Sequence, residues 1–78
     1  MNIDYEKDFG KNLRRIRESK KMTQEMVAAR MQLRGCDITR SAVAKIEVGQ
    51  RHIYADEILI LKEIFDVKFD EMFYKKDN

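Results

Sequence analysis

The chain has 78 residues, with one cysteine, one histidine and no proline. This length suits a single small domain, and a lone cysteine excludes an intramolecular disulfide. One cysteine and one histidine also cannot supply the four ligands of a structural zinc site. No apolar run approaches the roughly 18 residues of a membrane-spanning helix, and no signal-peptide core is present, which favours a reduced, cytoplasmic setting. Because apolar residues recur at helical spacing, we predict one all-α domain over residues 1–78.

The charges are distributed unevenly, although the net charge is only +2. Residues 11–51 hold eleven Lys or Arg and four Asp or Glu, whereas the rest of the chain holds five and ten. A basic middle between acidic ends is typical of nucleic-acid-binding domains. Ordinary surface charge is the alternative interpretation.

The first predicted helix has apolar residues at helical spacing from Phe9 to Ile16 and ends near residues 20–21. Residues 1–7 are expected to form a loose arm or an early turn, with Asp4 or Asp8 as the cap of the helix. Gly10 lies inside this helix, and we interpret it as a point of close packing rather than a break, although glycine costs roughly 1 kcal/mol there relative to alanine.

The second helix is predicted at about residues 24–33, with Thr23 as its N-cap. Gly35 follows and can turn the chain in a left-handed conformation. We interpret Cys36 as a small buried side chain rather than a reactive thiol, because no partner residues of a catalytic set are evident. We therefore expect no catalytic residue, no cofactor and no metal.

The third helix is predicted at about residues 40–48, between a capping Thr39 and Gly49. Val43 and Ile46 form its apolar side. The residues opposite that pair form what we call the outward face: Arg40, Ser41, Ala44, Lys45 and Val48. This face carries two cations and no carboxylate, so the helix can lie against a large polyanion. A solvated amphipathic helix is the alternative.

Two further helices complete the pattern, at about residues 55–65 and 69–73. The core residues of the fourth helix are predicted at helical spacing: Ala55, Ile58, Leu61 and Phe65. Ile60 and Ile64 form a second apolar pair on the same helix, which a monomer of this size is not expected to cover fully.

The resemblance to a known family rests on three segments, TQEMVA at 23–28, ITRSAVAKIEVGQR at 38–51 and VKFDEMF at 67–73. With these segments in this order, the chain resembles the lambda-repressor-like helix-turn-helix domains of the Cro or XRE type over roughly residues 9–73. The resemblance implies five helices, with the third as the recognition helix in the major groove. It further implies a sequence-specific DNA-binding transcriptional regulator, a repressor, that binds double-stranded DNA as a homodimer.

The resemblance also implies roles for individual residues. The residues that would reach base edges are Arg40, Ser41, Ala44 and Lys45. The residues that would contact phosphates are Gln24, Thr39, Gln50 and Arg51. The structural ion pair that ties helix 1 to the recognition helix would be Arg17 with Glu47.

The chain departs from the family pattern in two places. Seven residues separate Met31 from Thr39, more than the tight turn usual in the family. Tyr54 and Lys68 stand where a capping Ser or Thr is common, so the starts of helices 4 and 5 are expected to be looser.

We expect a dimer patch at Ile60, Ile64, Met72 and Phe73. The alternative is that these residues fold back into the core of the monomer. The second hypothesis for function is a protein-interaction module, such as an antitoxin or anti-repressor, that binds another regulatory protein. Enzymatic activity is the least favoured class.

Overall fold

The computed structural model describes residues 4–73, and within that range it contains five helices and no strand. The helices are α1 Asp4–Ser19, α2 Gln24–Leu33, α3 Arg40–Glu47, α4 Ala55–Phe65 and α5 Phe69–Phe73. The predicted all-α, five-helix architecture is therefore confirmed. The predicted bounds of α2, α4 and α5 agree with the observed helices, and α3 ends one residue earlier than expected.

α1 begins at Asp4, the earlier of the two predicted starts. Residues 4–7 therefore form the first turn of the helix and not a loose arm. The carboxylate of Glu6 in this turn contacts the imidazole of His52, 46 positions later in the chain. The sequence gives no local sign of this long-range partner. Residues 1–3 of the expected arm lie outside the described range.

The core is shared by all five helices and by the turn before α3. In the packing, α1 contacts α3 and α5, and α2 contacts α3 and α4. The buried apolar side chains are Phe9, Leu13, Ile16, Val27, Ala28, Met31, Cys36, Ile38, Val43, Ile46, Leu61, Ile64, Phe65 and Met72.

The predicted core stripe of α4 needs correction at two positions. Ala55 is exposed, whereas Ile64 is only 8% exposed and belongs to the core. Leu61, Ile64 and Phe65 share one side of the helix, within about 100° of one another at 3.6 residues per turn. Ala55 lies on a different side and therefore faces away from α2.

Gly10 is the point at which α1 approaches α3 most closely. A Cβ atom at this position would lie 2.4 Å from the carbonyl oxygen of Ile46 and 2.5 Å from that of Glu47. The interpretation of Gly10 as a close-packing residue is confirmed, because only a residue without a side chain leaves room for the α3 backbone.

Gly35 turns the chain after α2, as predicted, with φ of 83°. The Gly35 N–H donates to the carbonyl of Gln32 and the Cys36 N–H donates to that of Met31, both at 3.0 Å. This pair of bonds satisfies carbonyls at the helix end and defines a Schellman motif. The residues that lengthen the turn therefore follow a regular helix terminus.

The starts of α4 and α5 are not the loose ends that the sequence analysis expected. The Tyr54 N–H donates to Oε1 of Glu57, and the Lys68 N–H donates to Oε1 of Glu71, both at 3.0 Å. In each case the glutamate at the third helical position accepts a hydrogen bond from the backbone N–H of the residue that precedes the helix. This glutamate compensates for the missing Ser or Thr.

Candidate nucleic-acid interface

α3 begins at a regular cap and turns its apolar side inward. Oγ1 of Thr39 accepts a hydrogen bond from the Ala42 N–H at 3.1 Å. Val43 and Ile46 are 6% and 4% exposed, which fixes the rotation of the helix against the core. The opposite side therefore faces solvent.

The outward face of α3 is cationic in the structure. Arg40, Ser41 and Lys45 are exposed, and Ala44 is half-buried. Neither cation has an ion-pair or hydrogen-bond partner among residues 4–73. The residues predicted to reach base edges therefore share one accessible surface.

The single carboxylate of α3 belongs to Glu47, which is 5% exposed and points into the protein. Arg17 donates to it twice, from Nε at 2.6 Å and from Nη2 at 3.1 Å. The remaining Arg17 group, Nη1, donates to the carbonyl of Met22 at 2.9 Å. The hydrogen bond to Glu47 raises the pKa of Arg17 above its ordinary value, more than burial lowers it.

Gln24, expected to contact a phosphate, belongs to the same network. Its Nε2 donates to Oε1 of Glu47 at 2.9 Å. This bond uses one of the two amide hydrogens and holds the side chain at the N-terminus of α2. Thr23 caps that helix, accepting from the Met26 N–H at 3.0 Å.

A depression of about 490 Å³ lies where α1, α2 and α3 meet. Its lining includes Gln24 and Arg40, and also Arg14, for which the sequence analysis proposed no role. Arg14 pairs with Glu18 at 3.2 Å on an exposed surface, a contact worth little in water. Arg14 lies about one helical turn before Arg17, and this spacing is the sequence signal that could have indicated its place at the depression.

Arg51 has an internal partner. The sequence analysis assigned it to a phosphate, which stays a prediction; in the structure its Nη1 and Nη2 donate to the two carboxylate oxygens of Glu57, each at 3.0 Å. Its guanidinium also lies 5.6 Å from the ring centre of Tyr54. Arg51 is therefore held by α4, and its main partner is inside the protein.

Glu57, in the first turn of α4, is the buried partner of Arg51, and the sequence analysis did not single it out. The residue is 5% exposed. Burial by itself raises the pKa of Glu57, but the hydrogen bonds from Arg51 and the Tyr54 N–H outweigh it and leave the pKa below its ordinary value. The carboxylate therefore remains ionised inside the fold.

The other predicted contacts lie around the ends of α3. Gln50 is exposed, and its backbone N–H donates to the carbonyl of Lys45 at 2.8 Å. Together with Gly49, whose φ is 76°, this bond closes the C-terminus of α3. The Thr39 hydroxyl is exposed at the other end and can still donate while it accepts from the backbone.

Two residues of the expected dimer patch are buried in the structure, and the other two are partly accessible. Ile64 and Met72 are 8% and 0% exposed, so for these two side chains the alternative interpretation, burial in the monomer core, is the observed one. Ile60 is half-buried, and Phe73 is half-exposed with its ring centre 4.8 Å from that of Phe9. Met72 is buried because α5 packs back onto α1.

Cys36 is not activated by its surroundings. Burial raises the pKa of the Cys36 thiol, which disfavours the reactive thiolate.

Among residues 4–73 no helix is long and apolar enough to cross a membrane.

The two short helices α2 and α3, the wide turn between them and the pairing of α1 with α3 define a helix-turn-helix domain. The chain belongs to the helix-turn-helix family HTH_3, whose model matches residues 13–72. The predicted resemblance to lambda-repressor-like domains is thus confirmed.

A solved structure shows the same fold. The crystal structure of the DNA-binding domain of BldD matches with a TM-score of 0.78 and 24% sequence identity, covering 95% of this chain and 100% of that chain. At this identity the match establishes the fold. No curated protein sequence matches this chain.

Proposed function

We propose that this protein is a sequence-specific DNA-binding transcriptional regulator that inserts α3 into the major groove. The observation that carries the proposal is the outward face of α3, where Arg40 and Lys45 are exposed while Glu47 is turned inward and neutralised by Arg17. An acid-free cationic helix face suits the strongly negative groove. The similarity of the fold to that of the DNA-binding domain of BldD supports the same conclusion.

The base contacts would come from the residues of this face. Arg40 would form paired hydrogen bonds with a guanine, the commonest specific contact in the major groove, and Ser41 and Lys45 would contact neighbouring base edges. Ala44 is small enough to let the helix backbone approach the bases. These contacts would set the preferred sequence.

The phosphate contacts would come from both ends of the helix pair. Gln24 and Arg14 lie at the N-terminus of α2, where backbone N–H groups favour an anion. Thr39 and Gln50 lie at the two ends of α3. Such contacts fix the position of the protein on the duplex and make its affinity depend on salt.

The regulator would act as a repressor, because occupying an operator is sufficient to exclude another protein from the same base pairs. It would bind as a homodimer to a near-palindromic site, with half-sites about one helical turn apart. Ile60 and Phe73 remain the accessible members of the proposed dimer patch.

The test is selection of a preferred duplex from random sequences, followed by binding of that duplex and a scrambled one at increasing salt. The proposal expects a preferred sequence and an affinity for both duplexes that falls steeply with salt. Equal, salt-insensitive binding to both duplexes, or none at all, would contradict it.

A protein-interaction module is the second candidate. Leu33 and Leu59 are 85% and 54% exposed, and Arg34 and Glu63 form an ion pair between α2 and α4 at 3.8 Å. Exposed apolar side chains beside charges are common features of protein-binding surfaces. Under this alternative the chain would bind another regulatory protein and show almost no salt-dependent affinity for duplex DNA.

A further inference from the structure

Val48 is an exposed apolar residue at the C-terminal end of α3. It directly follows the last helical residue, Glu47, with φ of −103° and ψ of 7°, and its side chain is 51% exposed. The predicted roles described above leave it without a function.

Val48 lies on the middle line of the outward face. Val48 lies seven positions after Ser41, which is two helical turns with an offset of only about 20° and a rise of about 10 Å. Ala44 lies one turn before it on nearly the same line. Arg40 and Lys45 lie on opposite sides of this line, so two cations flank the apolar strip.

The charges around this strip determine what can cover it. A surface with flanking cations and no carboxylate is complementary to the negatively charged major groove of DNA. The isopropyl group of valine cannot hydrogen-bond to a phosphate or to a polar base edge. The apolar group that the major groove presents is the C5-methyl of thymine.

We infer that Val48 contacts the methyl group of a thymine near the C-terminal end of α3. This inference rests on the proposed DNA-binding function and deepens it by assigning a base to the C-terminal end of α3. The contact would add preference for thymine over the other bases at that position.

The experiment uses the full chain and the duplex selected from random sequences. Each thymine is replaced in turn by uracil, which lacks the methyl group, and binding is measured for the wild type and for Val48→Ala. At one thymine the wild type should bind the uracil duplex about threefold to fivefold more weakly, the effect of losing one buried methyl-sized contact. Val48→Ala should bind the two duplexes equally at that position.

Leu59→Ala is the matched control, because Leu59 has a similar exposure, 54%, but lies on α4. This variant should retain the full preference for thymine over uracil. A thermal melt of each variant confirms that it is folded.

The inference is overturned if Val48→Ala keeps every thymine preference of the wild type, or if the selected site contains no thymine to which the protein responds. A wild-type chain without salt-dependent duplex binding would instead contradict the proposed function itself. The two failures are therefore distinguishable.

Discussion

Glu47 keeps a negative charge away from the outward face of α3 although it belongs to that helix. Its two carboxylate oxygens accept from Arg17, and one also accepts from Gln24. A buried carboxylate is tolerated only when charge and hydrogen bonds compensate its desolvation, and both are present here. One residue thus joins α1, α2 and α3 and leaves the outward face positive.

Arg40 provides the residue-scale test of base recognition. Replacing it by alanine should cost about 1–3 kcal/mol of binding free energy on the selected duplex and relax the base preference at one position, because a bidentate contact to guanine is lost. Fluorescence anisotropy on selected and random duplexes measures both effects. Equal weakening on the two duplexes would assign Arg40 to phosphate contact instead.

The Glu57–Arg51 pair gives a pH-dependent contribution to stability. The pKa of Glu57 in the fold lies below its ordinary value of 4.5, so ionisation favours the folded state. The contribution is complete above about pH 4.5 and is lost as the pH falls through the lower pKa of the folded protein. Glu57→Gln should therefore lower the free energy of unfolding by roughly 1–3 kcal/mol at pH 7 and by less at acid pH.

Urea denaturation at several pH values measures this difference. Asp70→Asn is the control, because Asp70 is an exposed acid in the first turn of α5. Its effect on the free energy of unfolding should be small, because the side chain is exposed. A difference between wild type and Glu57→Gln that does not shrink at low pH would refute the role of this pair.

At the scale of elements, the close approach of α1 to α3 depends on Gly10. Because a Cβ atom there would lie 2.4 Å from a backbone oxygen, Gly10→Ala must push the two helices apart. We expect a loss of at least about 2 kcal/mol in the free energy of unfolding.

Gly35→Ala is the matched control for this prediction. No atom lies within 4 Å of a Cβ built at Gly35, so its cost comes only from the φ of 83° and should be about 1–2 kcal/mol. Thermal or urea denaturation compares the two variants. A smaller loss at Gly10 than at Gly35 would show that α1 and α3 can separate easily.

α1 also contributes to the depression at the start of α2 through Arg14. If Arg14 holds a phosphate there, Arg14→Ala should weaken binding to all duplexes and make the slope of log affinity against log salt shallower by about one. Arg15 is the neighbouring control, because it is exposed on the same helix but donates to Asn12 and does not line the depression. An identical salt slope for the two variants would exclude Arg14 from the interface.

At the scale of the whole molecule, the proposed dimer depends on what the core leaves exposed. Ile64 and Met72 are enclosed, whereas Ile60 and Phe73 are partly accessible. A single small domain buries limited surface on DNA, which is why we propose that two copies bind one operator. The proposed interface would then be assembled from residues outside the core.

Ile60→Glu tests this arrangement, because a charge at an apolar interface should separate the subunits. Since Ile60 also packs against the core, a thermal melt of the variant checks that it is folded. Light scattering should show a dimer for the wild type and a folded monomer for the variant. The control Leu59→Glu, at the adjacent exposed position, should leave the dimer intact. A dimer that persists in Ile60→Glu would place the interface elsewhere.

The sequence by itself determined the local features of this protein. Thr23 and Thr39 mark helix starts, Gly35 and Gly49 mark helix ends, and the spacing of Val43 and Ile46 defines the outward face of α3. These features are encoded within a few residues, by caps, backbone conformation and helical periodicity.

Only the tertiary structure decided which charges pair and which apolar residues are enclosed. Arg51 lies beside Glu57, Gln24 bonds to Glu47, and Met72 enters the core beside α1. The sequence offers many charged residues as partners for each cation, and apolar spacing on a short helix does not reveal whether another helix covers it. Those choices follow from distances between segments that are far apart in the chain.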